Sequence, residues 1–121
     1  MNATIGNKCI NCPTYADFKN LFDSLDLNAD VSLWLSHGQE KFPSWNIMRK
    51  DNLVYLHFFP TEHDAGTHLR SASKELVTFH TDGFVFEIQK GSLTDPVTAL
   101  GVIRQYFDEG TLPSNLDWEE L

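Results

Sequence analysis

The sequence predicts an α+β fold: a mostly antiparallel sheet with two amphipathic helices on one face. Three observations point there. Apolar segments with period-two alternation recur from residue 31 onward, separated by short polar turns. Two other segments carry apolar residues at helical spacing, each behind a capping residue, Thr14 and Asp95. Strands joined by short turns pair antiparallel, because a parallel pair needs a crossover of about a dozen residues or more. Two amphipathic helices then cover one sheet face.

The elements follow in order. Residues 1–13 show little period and read either as an edge strand from Thr4 to Ile10 or as loosely ordered chain. Thr14 is an N-cap, and Asp17 completes a capping-box pattern. Phe18, Leu21, Phe22 and Leu25 then give a first helix of about 12 residues with one apolar face. Val31, Leu33 and Leu35 alternate with Ser32, Trp34 and Ser36 as in a half-buried strand, which leaves Trp34 on the polar side. A loop follows, and Pro43 introduces a strand from Ser44 to Arg49. Lys50-Asp51-Asn52 supplies a turn. Leu53 to Phe59 is apolar on both faces, as a central strand is, and Pro60 ends it.

Residues 61–74 read as a polar loop containing His63, Gly66 and His68. Leu76 to His80 forms a strand that meets Asp82-Gly83, the strongest hairpin signal in the chain. Phe84, Phe86 and Ile88 alternate with Val85, Glu87 and Gln89 on the return strand. Asp95 with Pro96 opens the second helix. Val97, Leu100, Ile103 and Phe107 are its expected buried stripe, and Gly110 its C-terminal cap. Leu116 to Leu121 makes a last short strand. Residues 1–121 thus form a single domain without repeat or linker.

At 121 residues, with 41% apolar composition and nine Phe, three Trp and three Tyr, the chain can bury one core. No apolar run approaches the roughly 20 residues of a membrane span. The first eight residues lack an apolar signal core, so a cytoplasmic protein with no membrane partner is expected. Net charge is −8, and it is unevenly spread. Residues 1–60 carry five basic and six acidic side chains; residues 61–121 carry four basic and eleven acidic. Such a field argues against binding nucleic acid directly and favours a basic partner, or serves solubility.

Candidate chemistry is sparse. Cys9-Ile10-Asn11-Cys12 is a CxxC pair, but structural zinc needs four ligands and no second pair accompanies it. A thioredoxin-type site sits at a strand-to-helix turn within a βαβ unit, whereas Pro13 follows Cys12 here and the strands downstream are antiparallel. His57, inside the most apolar strand, reads as a packed, hydrogen-bonded residue. Glu62, His63, Asp64 and His68 cluster on one loop and could act as acid and base, but no nucleophile accompanies them. Neither a phosphate-binding loop, a dinucleotide fingerprint, a GxSxG elbow nor a zinc-deaminase signature occurs. No enzyme activity, metal or cofactor is expected. Trp118, between Asp117 and the pair Glu119 and Glu120, reads either as a core residue or as an anchor for a basic partner.

The run Tyr55-Leu56-His57-Phe58-Phe59-Pro60, the Gly-containing loop after it, the strand-turn-strand and the capped helix resemble a known family. So does the ending, where Gly110, Pro113, Trp118 and Leu121 follow a G-x-x-P-x-x-x-x-W-x-x-L pattern. The family is the polymorphic-toxin immunity proteins numbered one, encoded beside bacterial toxins with deaminase or nuclease domains. The likeness covers residues 53–60 and 96–121; the loop over 61–66 and the CxxC depart from it. It implies a non-enzymatic inhibitor that occludes the active site of a cognate toxin's basic, nucleic-acid-directed catalytic domain. The toxin-binding residues then expected are Trp34, Glu62, His63, Asp64, His68, Asp117, Trp118, Glu119 and Glu120. Two alternatives stand beside it: a small metal or redox protein using Cys9 and Cys12, and a non-enzymatic ligand-binding domain.

Overall fold

The computed structural model describes residues 1–38 and 40–121. It is a sheet-rich α+β fold, mostly antiparallel, with two helices. The N-terminal residues make two strands, β1 (Asn2–Ile5) and β2 (Lys8–Asn11), where one was expected from Thr4 to Ile10. The reversal lies at Gly6-Asn7, with Gly6 at φ +59°, a turn conformation that glycine adopts without steric cost. Helix α1 (Tyr15–Asp23) is nine residues long, shorter than its apolar spacing implied. Thr14 Oγ1 accepts from the Asp17 N–H at 3.3 Å, and the Asp17 carboxylate accepts from the Thr14 N–H at 3.0 Å. The helix stops at Ser24, so Leu25 lies beyond it.

Strands β3 (Val31–Ser36), β4 (Ser44–Lys50) and β5 (Leu53–Phe59) form an antiparallel meander in which Leu33, Ile47 and Leu56 are register partners. The segment read as a polar loop contains a further strand, β6 (Thr67–Leu69), paired to β5 at Phe58↔Thr67. Strands β7 (Leu76–Thr81) and β8 (Phe84–Gln89) form their own two-stranded hairpin. Its turn residues Asp82 and Gly83 have φ +53° and +78°, the left-handed pair that a two-residue hairpin loop requires. A short β9 (Leu93–Thr94) pairs with β5. The last strand, β10 (Trp118–Glu120), spans three residues instead of Leu116 to Leu121 and pairs with β6. The large sheet runs β2-β1-β3-β4-β5-β6-β10, with β9 beside β5.

Helix α2 (Pro96–Glu109) is capped as its sequence dictates. Asp95 Oδ1 accepts from the Thr98 N–H at 2.8 Å, and Gly110, at φ +69°, donates its N–H to the Tyr106 carbonyl at 2.9 Å. Its buried residues are Ala99, Val102, Ile103 and Tyr106. The expected stripe is therefore rotated: Val97 is 80% exposed, and Leu100 and Phe107 flank the contact. Both sets have helical period, and docking selects the one that meets Trp45 and Phe58 through Tyr106. Phe107 instead reaches α1, against Tyr15 and Phe18.

Two cores result. The main one joins Phe18 and Phe22 of α1 and the four buried residues of α2 to Leu33, Leu35, Trp45, Ile47, Val54 and Leu56. The smaller one comprises Met48, Tyr55 and Phe79, with Val77, Ile88 and Leu93 against it. Because successive side chains on a strand point to opposite faces, Met48 and Tyr55 stand on the reverse side from Ile47 and Leu56. Phe79 thereby seats the β7–β8 hairpin on that reverse face. Among the described residues, no helix is long and apolar enough to cross a membrane.

Candidate functional site

Strand alternation delivers Trp34 from β3, Asn46 and Met48 from β4, and Tyr55, His57 and Phe59 from β5 to the reverse face. The hairpin covers only part of it, through Phe79. Between hairpin and sheet lies a cleft of about 490 Å³. Its floor is the Trp34, Asn46, His57 and Phe59 row; its opposite wall is Phe84, Phe86 and Ile88 of β8, and Asp82 of the hairpin turn also lines it. Trp34, Phe84 and Phe86 are 43%, 67% and 40% exposed, so large aromatic rings face solvent together.

The floor is ordered by ring contacts. Trp34 stacks on Phe59 at 5.7 Å between centroids and 29° between planes, and Phe59 lies 4.0 Å from the His57 ring. His57 Nε2 donates to the Ala65 carbonyl at 2.9 Å, which fixes the tautomer. Burial lowers the His57 pKa; the Ala65 carbonyl opposes this and nearby His68 adds to it. Gly66, at φ +94°, is why the loop can lie so close: a Cβ there would collide with the His57 imidazole and come within 2.9 Å of the Phe58 carbonyl. Behind His57, the Tyr55 hydroxyl lies 2.8 Å from His68 Nδ1. Burial raises the Tyr55 pKa to about 12, so the phenol keeps its proton, and the His68 tautomer sets which group donates. His68 Nε2 sits 4.0 Å from Glu119 Oε2, an ion-pair separation and not a hydrogen bond. Burial lowers the His68 pKa, and Glu119 pulls the other way.

Of the residues expected to bind a partner, Trp34 lines the cleft. His68 and Glu119 connect to it through Tyr55. Glu62, His63 and Asp64 are exposed on the loop whose Ala65 holds His57, and Asp64 Oδ1 accepts from the Gly66 N–H at 2.7 Å. Asp117 and Glu120 are exposed elsewhere; Asp117 faces Arg70 at 3.4 Å. Trp118 is half-buried against the main core, 6.2 Å from Trp45, and its Nε1 donates to the Pro113 carbonyl at 2.9 Å. Trp118 and Glu119 are consecutive on β10, so they face opposite sides.

Sequence reasoning passed over Asn46, Phe59, Asp82, Phe84 and Phe86 as site residues; it read His57 as packed and hydrogen-bonded, and His57 does bond to the Ala65 carbonyl. The signal for Phe84 and Phe86 was present as an alternating strand beside Asp82-Gly83, but nothing local says which surface that hairpin meets. Cys9 is exposed and Cys12 fully buried in the main core, and neither forms a disulfide. Ile10, between them on β2, also packs on that core, so Cys9 points the other way. Burial raises the Cys12 pKa, the opposite of what a reactive thiol needs. Among the described residues, no three His, Cys, Asp or Glu side chains gather as a metal site. The cleft offers aromatic faces and hydrogen-bond acceptors, which suits recognition. Comparison with protein-family models and with curated proteins gave no match.

Proposed function

We propose that this chain is an immunity-type inhibitor that binds the basic catalytic domain of a nucleic-acid-directed toxin, a deaminase by the resemblance over residues 53–60 and 96–121. In this reading the two helices cover one face of the sheet, and the partner docks on the reverse face at the cleft. One observation carries the proposal: Trp34, Phe84 and Phe86 stand exposed around one cleft that Asp82 also lines, with no lysine or arginine among the described lining residues. Exposed aromatic clusters are the residues that dominate protein–protein affinity. The net charge of −8 would speed encounter with a basic groove and compete with its phosphate ligand. The protein would act in the cytoplasm, without metal, cofactor or catalytic step of its own. A redox role for Cys9 and Cys12 draws no support from thiols on opposite faces.

A second reading, a small-molecule binding domain, is favoured by the cleft volume, which lies within the roughly 300–1,000 Å³ of ligand sites. Against it, Phe84 is 67% exposed, whereas ligand pockets enclose most of their occupant. Co-expression with the toxin encoded beside this gene tests the first reading. Protection of the host and a complex on gel filtration support it; neither protection nor complex, or no toxin gene there, defeats it.

A further inference from the structure

We propose that the cleft between β8 and the sheet is a receptor for a single cationic side chain of the partner, an arginine guanidinium by preference. The inference rests on the inhibitor reading for its partner, but not for the chemistry of the site. Three features select a cation. The lining is aromatic: Trp34, Phe59 and His57 on the floor, Phe84 and Phe86 opposite. Aromatic faces attract a cation through the ring quadrupole, and a planar guanidinium also stacks on them. The floor's polar group is set as an acceptor. Asn46 Nδ2 donates to Ser32 Oγ at 3.0 Å and to the Leu33 carbonyl at 3.3 Å. Its Oδ1 accepts from no described residue. Asp82 adds a carboxylate to the same lining.

The third feature is charge complementarity. Among the described residues no lysine or arginine lines the cleft, and His57, the one histidine among them, is held toward its neutral form by burial. Asp82 is the one acidic residue among the described residues of the lining, within a chain of net charge −8. An apolar plug would leave Asn46 Oδ1 and the Asp82 carboxylate without donors as water left the cleft. A guanidinium brings five N–H donors to these acceptors while its plane lies on the rings. A toxin groove built for phosphates presents this side chain in abundance.

The test uses the whole chain and two small probes: N-acetyl-arginine methylamide and its neutral isostere, N-acetyl-citrulline methylamide. Chemical shifts of the Trp34 indole, the His57 ring and the Phe84 and Phe86 rings are followed by NMR. Saturable shifts with arginine, at least about fivefold weaker with citrulline and lost in Trp34→Ala, support the proposal. Trp34→Phe, which keeps a π face, should retain part of the response. Equal response to both probes, or none to arginine, overturns it. With the toxin in hand, Trp34→Ala and Phe84→Ala should each weaken the complex about tenfold or more, the range of an anchoring contact. Unchanged affinity in both variants would sink the cation receptor and the docking at this cleft, while a toxin complex and host protection would still uphold inhibition itself. Arginine binding without any toxin complex would do the reverse.

Discussion

Replacing Gly66 with alanine should cost stability through a route that the geometry of the site defines. Two terms add. Gly66 sits at φ +94°, outside the left-handed helical well, and a non-glycine residue held in such a region costs about 1–3 kcal/mol. The new methyl would also drive into the His57 imidazole, which is held by one hydrogen bond to Ala65. Losing that bond adds about 0.5–1.5 kcal/mol. The sum is about 2–4 kcal/mol, a large share of the roughly 5–15 kcal/mol by which domains are stable. Gly110→Ala is the internal control. Gly110 has φ +69° with nothing within 4 Å of the point where a methyl would stand, so only the conformational cost of about 1–2 kcal/mol applies. Urea unfolding followed by tryptophan fluorescence measures both, and histidine ring NMR reports on His57 directly. If Gly66→Ala costs no more than Gly110→Ala, or leaves the His57 signals in place, the close approach of loop and imidazole is wrong.

Acidification should weaken the fold. His57 and His68 both have native pKa values lowered mainly by burial from the ordinary 6.5. Each binds its proton less well folded than unfolded, so their contribution is complete above pH 6.5 and is lost as pH falls from there toward the native pKa. Urea midpoints at pH 7.5 and 5.5 should drop for the native chain and drop less for a His57→Gln, His68→Gln double variant; equal drops would refute this. A thiol reagent should label Cys9 in the native protein and reach Cys12 only on unfolding, because Cys12 is fully buried; two thiols labelled at native rates would contradict the core placement. Trp118→Ala should destabilise by about 2–4 kcal/mol through lost packing on Trp45 and the orphaned Pro113 carbonyl. Trp34→Ala should cost less, about 1 kcal/mol, since Trp34 is 43% exposed and lies outside both cores; the opposite ranking in thermal unfolding would reverse the roles of these two tryptophans.

What could be read from the sequence was local. Thr14 with Asp17, Asp95 with Pro96, Gly110 and Asp82-Gly83 each act within a few residues, and each sits where its chemistry requires. What could not be read was decided by distant partners. β6 is three residues long and is a strand because Trp118–Glu120 and Phe58 flank it, not because of its own pattern. The buried face of α2 turned on which side of one helical period met Trp45 and Phe58. Trp34 was legible as an aromatic residue on the polar side of an alternating strand, and that anomaly marks the cleft. Phe84 and Phe86 carried the same alternation but were read only as one side of a return strand, since a hairpin's docking surface leaves no trace in its own spacing.

The exposure of the cleft follows from an imbalance between the two cores. The helices supply six buried side chains to the main core: Phe18, Phe22, Ala99, Val102, Ile103 and Tyr106. The hairpin supplies one fully buried residue, Phe79, to the smaller core. Two strands are too narrow a cover for the reverse face of β3, β4 and β5, so Trp34 and Phe59 stack on each other instead of beneath a third layer. In an open cleft Asn46 Oδ1 and Asp82 are accessible to solvent donors, which do nothing for the rings. A partner that brings hydrogen-bond donors on a flat, cationic surface can satisfy both, and a purely apolar partner cannot. The hairpin, which seats Phe79 with Val77 and Ile88 and donates the His80 N–H to the Asp30 carboxylate, is more lightly held than the helices and is the element whose position should respond to binding.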